Sequence, residues 1–264
     1  MKLKNIARNS LFVKSFNLAK SSPGKTGLMV LFDAMFIISF FTLQKLFGYF
    51  ASNLAVSSLT STFYLLIIFS LIYYLVILFL YSFFKYSVLD FIKSLFNETK
   101  FSFNRLWQFY ILNIAIAGIF LAIMLALNFI LINIREPYAP YAFIVLAAPY
   151  SLFLYIVVNI SHSKFYEGNT IKTAIKKSII ASIAKIKNYR ETIFVMVIGA
   201  LILWLSFLGI GYLLRLSTSM NFSLYLIFYS YFKQASIIVL DIVIYLFILI
   251  NRISFYAAIK ENKG

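Results

Sequence analysis

Five polar residues interrupt the apolar runs of this chain where polarity is expensive: Asp33, Asn113, Asn128, Lys233 and Asp241. An ionised side chain at the centre of a bilayer costs on the order of 2.5–3.5 kcal/mol, so each needs a partner, an escape route or a task. Asp241 is the deepest acid and the leading candidate for a functional intramembrane group. Its structural alternative is a protonated aspartic acid hydrogen-bonded to Asn113 or Asn128. Lys233 stands eight residues earlier, about 12 Å along a helix axis, too far to pair with Asp241. It is expected to snorkel outward through the aromatic cluster of Tyr225, Phe228, Tyr229, Tyr231 and Phe232. Asp33 reads equally as a packing or border residue and as a functional acid.

Catalysis finds little to build on. His162 is the sole histidine, set between Ser161 and Ser163 at the end of an apolar run, where an interfacial residue is the expected reading. No pair of zinc ligands, no acids at local spacing and no serine in a strained glycine turn occur. A constellation assembled from distant spans, such as His162 with Asp33 and Glu167, is the kind of enzymatic arrangement left open. The absence of cysteine removes disulfides, thiolate metal sites and thiol nucleophiles together. No catalytic residue, cofactor or metal ligand is therefore expected.

The elements that must carry these residues are transmembrane. Of 264 residues, 62% are hydrophobic and 19% aromatic, more apolar surface than a water-soluble chain of this length can hide. Six stretches reach the roughly 20 residues needed to cross hydrocarbon: Gly27 to Phe47, Phe63 to Phe84, Leu106 to Ile134, Tyr138 to Ile160, Thr192 to Leu216 and Leu224 to Ser254. Lys and Arg outnumber Asp and Glu by 24 to 8 and gather on alternate connections. Six lie before Thr26, four between Lys85 and Arg105, seven between Lys164 and Arg190, and three in the tail; the opposite connections hold only Lys45, Arg135 and Arg215. Retention of positive charge then places both termini in the cytoplasm of a multi-pass cell-membrane protein. The N-terminal arm lacks the apolar core of a secretory signal and reads as mature protein.

The basic connections are themselves patterned. From Gly168 to Arg190, isoleucines 171, 175, 179, 183 and 186 recur at helical spacing among Lys172, Lys176, Lys177, Lys185, Lys187 and Arg190. Similar frames, each an apolar pair around Lys-Ser, surround Lys14 and Lys93, with Val88, Phe91, Ile92 and Leu95 supplying the second stripe. The spacing predicts three repeats (1–85, 86–165, 166–264) of a single membrane domain. Each repeat is an interfacial amphipathic basic helix followed by a transmembrane hairpin. Aromatics beside a basic residue close each hairpin: Phe84-Lys85-Tyr86, Lys164-Phe165-Tyr166, and Arg252 before Phe255-Tyr256. Each surface cation near an anionic leaflet contributes roughly 1 kcal/mol. Anionic phospholipids are the expected partners, with other membrane proteins second; nucleic acid is not expected, because the basic residues sit beside spans and form no separate polar domain.

Three features read as structural. Gly118, Ala122 and Ala126 make a close-approach face on the third span, Pro149 is a hinge in the fourth, and Gly209-Ile210-Gly211 loosens the end of the fifth. The layout of basic helix, hairpin and closing aromatics resembles the membrane domain attached to some glycerophosphodiester phosphodiesterases and the stand-alone multispan proteins related to it. The metal ligands of the phosphodiesterase itself are missing, so the resemblance implies a membrane-embedded helper or organiser. The expected function is a non-enzymatic, membrane-organising protein with basic surface helices on the cytoplasmic leaflet. The alternative is a small-solute or ion transporter using Asp241, Asp33 and Lys233.

Overall fold

The computed structural model describes residues 10–55, 60–99, 101–184, 186–217 and 222–261. They form eight helices: α1 (Leu11–Ser21), α2 (Pro23–Ala55), α3 (Thr60–Ser94), α4 (Phe103–Ile132), α5 (Ala139–Tyr166), α6 (Ile171–Ala184), α7 (Ile186–Ser217) and α8 (Phe222–Glu261). Six of them, α2 to α5 with α7 and α8, are long and apolar enough to cross a membrane. Their surfaces confirm the solvent they are built for: Ile132 is 81% exposed and Phe129 73%, which is unfavourable in water and ordinary in lipid.

The chain divides into two compact units, Lys20–Ala184 and Met1–Ala19 with Lys185–Gly264. In the first, α2 and α3 form a hairpin sealed by aromatic rings. Phe32 meets Phe84 and Phe91, Phe36 meets Tyr81 and Phe84, and Phe47 stacks on Tyr73 with centroids 4.0 Å apart. The Lys25 ammonium donates to the Ser94 carbonyl, satisfying a terminal acceptor of α3 with a cation, as the helix dipole favours. α4 joins α3 through the Tyr110 hydroxyl, which donates to the Leu75 carbonyl at 3.2 Å. α4 joins α5 through Tyr150 stacked on Phe120. In the second unit, α7 and α8 form a hairpin, and the Phe12 ring of α1 lies 6.0 Å from Phe247 of α8.

Several expectations change here. The second basic connection forms no separate surface helix: α3 runs unbroken from Thr60 to Ser94, and Val88 and Ile92 of the expected surface stripe are fully buried. No glycine or proline lies in that stretch to stop the helix. The aromatics closing the hairpins are core, with Phe165, Phe255 and Tyr256 each about 1% exposed. The face of Gly118, Ala122 and Ala126 is exposed, and a Cβ added at Gly118 would meet nothing within 4 Å. Close approach occurs instead at Gly199, where a Cβ would come within 2.5 Å of the Phe247 ring. α5 carries Pro149 inside it, where the missing amide donor favours a bend.

Candidate functional site

Polar side chains concentrate at one end of α3, α4 and α5, against α6. His162 is fully buried, with its ring 4.7 Å from Phe109 and 6.3 Å from Tyr81. Its Nε2 lies 2.7 Å from Asn113 Oδ1, Asn113 Nδ2 donates to Ser82 Oγ at 2.9 Å, and Ser82 Oγ donates to the Leu78 carbonyl at 2.6 Å. A carbonyl only accepts, so the Ser82 hydrogen is used there and its oxygen must receive the Asn113 amide. Asn113 therefore turns its oxygen to His162, and Nε2 carries a hydrogen. The donor direction along this relay fixes the protonation of that ring nitrogen.

A second set of contacts runs along α5. Lys85, 8% exposed, reaches Asn159 Oδ1 at 3.5 Å, and the Asn159 amide donates to the Tyr155 carbonyl at 2.8 Å. Ser161 and Ser178 hydroxyls lie 2.6 Å apart. Since Ser178 donates to the Ile175 carbonyl at 2.7 Å, Ser161 is the donor in that pair. This contact docks α6 by its small residues: Ala174, Ser178 and Ser182, spaced four apart, are all buried. The opposite side of α6 is open, with Lys172, Lys176, Lys177, Ile179, Ile180 and Ile183 exposed. Along the isoleucine stripe, Ile171 and Ile175 are half-buried, while Ile179 and Ile183 face outward.

The turn between α5 and α6 is built by Gly168, whose φ of 102° is left-handed and suits glycine. Its amide donates to the Phe165 carbonyl, and Asn169 closes on the Lys164 carbonyl from both backbone and side chain. Beside this turn a cleft of about 120 Å³ is lined by Tyr86, Lys93, Thr99, Ser102, Arg105, Phe165 and Tyr166. Arg105 lies over the Phe165 ring and Lys93 over the Tyr166 ring, each 5.2 Å from the centroid. The Tyr166 hydroxyl donates to Asp90. The ring of Phe109 touches both Tyr86 and His162, so it stands between this cleft and the buried relay.

The residues singled out from sequence are dispersed. Asn113 is in the relay, bonded to Ser82 and His162. Asn128 and Asp241 are both exposed. Asp33 is half-buried in α2. Lys233 lines a cavity of about 410 Å³ between α7 and α8, with Arg215, Ser236, Tyr225, Tyr229 and Phe232 among its other walls. Of the expected surface cations, Lys14, Lys172, Lys176 and Lys177 are exposed, whereas Lys93 lines the cleft. Lys185 and the side chains of Lys187 and Arg190 lie outside the described residues.

Sequence reading missed His162, Lys85, Ser82, Ser161 and Ser178 as one buried cluster. The signal was present in Asn159-Ile160-Ser161-His162-Ser163, where four polar residues crowd one turn and a half of an otherwise apolar helix. Among the described residues no group of three or more His, Cys, Asp or Glu is placed to hold a metal.

Fold and site together define a polytopic all-α membrane protein with a polar, hydrogen-bonded centre at one end of its first two hairpins. Compared with protein families, characterised proteins and solved structures, the chain has no match.

Proposed function

We propose that this protein is a non-enzymatic, membrane-organising protein that engages anionic phospholipid from the cytoplasmic side. The observation that carries this reading is the orientation of α6. Its small residues are held against α5 by the Ser161–Ser178 hydrogen bond, and its outward side interleaves three lysines with three exposed isoleucines. Such a surface matches the headgroup boundary, where isoleucine enters the acyl layer and lysine stays with phosphate. Three lysines at roughly 1 kcal/mol each would favour an anionic leaflet by about 3 kcal/mol at low salt. The relay from His162 Nε2 through Asn113 to Ser82 is closed donor to acceptor and serves the helper role by fixing the end of the bundle on which α6 rests.

The test is lipid composition around the full chain. Purified from a mixed bilayer, the protein is expected to retain anionic over zwitterionic phospholipid, and Lys172→Gln/Lys176→Gln/Lys177→Gln is expected to lose most of that preference. Equal lipid profiles for the two proteins would refute the reading. The cavity holding Lys233 favours a second reading, transport of a small solute or ion. It requires flux in reconstituted vesicles that Lys233→Gln abolishes.

A further inference from the structure

We infer that the cleft between the ends of α3, α4 and α5 binds a phosphate group, with Lys93 and Arg105 as its cations. The inference goes beyond the lysine surface of α6 and rests only on the part of the proposed function that places this end of the hairpins at the headgroup level.

Two cations line this cavity, and among the described residues neither is ion-paired with a carboxylate. Lys93 contacts the Tyr166 carbonyl, at a long 3.5 Å, and the Tyr166 ring; the Arg105 guanidinium lies over the Phe165 ring, beside the Gly168 turn, and acts electrostatically on Tyr86. Cation–π packing holds each charge in place and leaves hydrogens of both to donate, two of the three on Lys93. Asp90, the acid that packs beside them, accepts from the Tyr166 hydroxyl and is absent from the cavity wall.

Neutral donors complete the ring. The Ser102 oxygen accepts from the Arg105 amide at 3.5 Å, which leaves its own hydrogen available, and Thr99 contributes a second hydroxyl. Ser102 also caps the first turn of α4, where the helix dipole favours negative charge. A cavity of 120 Å³ takes several waters or one oxyanion with its hydration, and it excludes an acyl chain. Bidentate guanidinium, ammonium and hydroxyl donors in so small a space suit a tetrahedral oxyanion. The cleft lies where α3 and α5 end and α4 begins, the level at which phospholipid phosphates stand if those helices span the bilayer.

The same chemistry has two sources, a lipid headgroup and free phosphate, and two arms separate them. In the first, full-length protein in zwitterionic nanodiscs with or without phosphatidic acid is released and its retained phospholipid counted by native mass spectrometry. In the second, inorganic phosphate is titrated against chloride at fixed ionic strength and thermal stability is read. The proposal expects one phosphatidic acid retained per chain, stabilisation by phosphate, or both. Each effect should weaken about tenfold in Arg105→Gln and in Lys93→Gln. Retention alone identifies the lipid, and stabilisation alone identifies the free anion.

The α6 triple lysine variant is expected to keep the cleft effect, so failure there is distinguishable from failure of the proposed function. Arg105→Lys, which keeps charge but loses the flat stack on Phe165, is expected to bind at an intermediate level and guards against a folding defect in Arg105→Gln. Binding that is absent in the wild type, or unchanged in both Lys93→Gln and Arg105→Gln, overturns the proposal.

Discussion

The α3–α4–α5–α6 end and the α7–α8 hairpin solve the same problem with opposite means. At the first, polar side chains are buried and joined donor to acceptor, from His162 through Asn113 to Ser82 and from Ser161 to Ser178. In the second, ring packing is prominent among the contacts of the described residues. Gly199 lets the Phe247 ring approach, Phe207 and Phe232 have centroids 6.4 Å apart, and the Asn251 amide donates to the Met196 sulfur at 2.9 Å. Lys233, Arg215 and Ser236 line an open cavity there. Lipid offers no hydrophobic drive for helix pairing, so hydrogen bonds specify the first region and shape specifies the second. The first is expected to be brittle to polar deletion, and the second tolerant.

The largest effect expected from this contrast is at Asn113. Asn113→Leu strands the His162 Nε2 hydrogen and removes the donor to Ser82, at a cost of about 2–3 kcal/mol. A steric trap or thermal unfolding assay in bilayer mimetic reads it. His162→Leu alone is expected to cost about 1–3 kcal/mol for the same reason. Joined to Asn113→Leu, it should recover part of the loss, because two apolar partners leave no orphan between them. Strictly additive losses would show that the relay is not a coupled unit.

Next comes α6. Ser178→Leu forces a branched side chain into the small-residue face and is expected to destabilise α6 docking by about 1–3 kcal/mol. Hydrogen exchange would show it as faster opening of residues 171–184 while α7 and α8 are unchanged. The smallest effect belongs to the shape-specified hairpin. Gly199→Ala pushes on the tip of the Phe247 ring, which can swing, and alanine gains up to about 1 kcal/mol of helix propensity. Its net change is expected to stay within about 1 kcal/mol, and a loss comparable to that of Asn113→Leu would erase the contrast between the regions.

The spans were legible in the sequence because hydropathy over twenty residues is a bulk property, and all six coincide with long helices. The ends of the spans were not. Phe84, Lys85, Tyr86 and Phe165 have the composition of an interfacial belt, and only three-dimensional packing distinguishes a belt from a core. The unbroken α3 was readable in principle, since nothing between Phe84 and Ser94 stops a helix. The side chosen by α6 was not. Its isoleucine period pointed to an apolar face, whereas Ala174, Ser178 and Ser182 are buried because small residues allow close approach and Ser161 waits on α5. His162 was hidden by its solitude: one histidine suggests nothing until Asn113, 49 residues away, is seen opposite it.

The central claim, that the exposed side of α6 rests on an anionic leaflet with its isoleucines in the acyl layer and its lysines at the phosphates, can be read directly because the chain has no cysteine of its own. A single cysteine at position 183, labelled with an environment-sensitive fluorophore in the full-length protein, reports depth in nanodiscs. The account predicts a blue-shifted, quencher-protected probe in anionic bilayers and a shallower one in zwitterionic bilayers. The probe should also become shallow in anionic bilayers once Lys172, Lys176 and Lys177 are replaced by glutamine. A probe that is water-exposed in both lipids, or equally deep with and without the lysines, would contradict it.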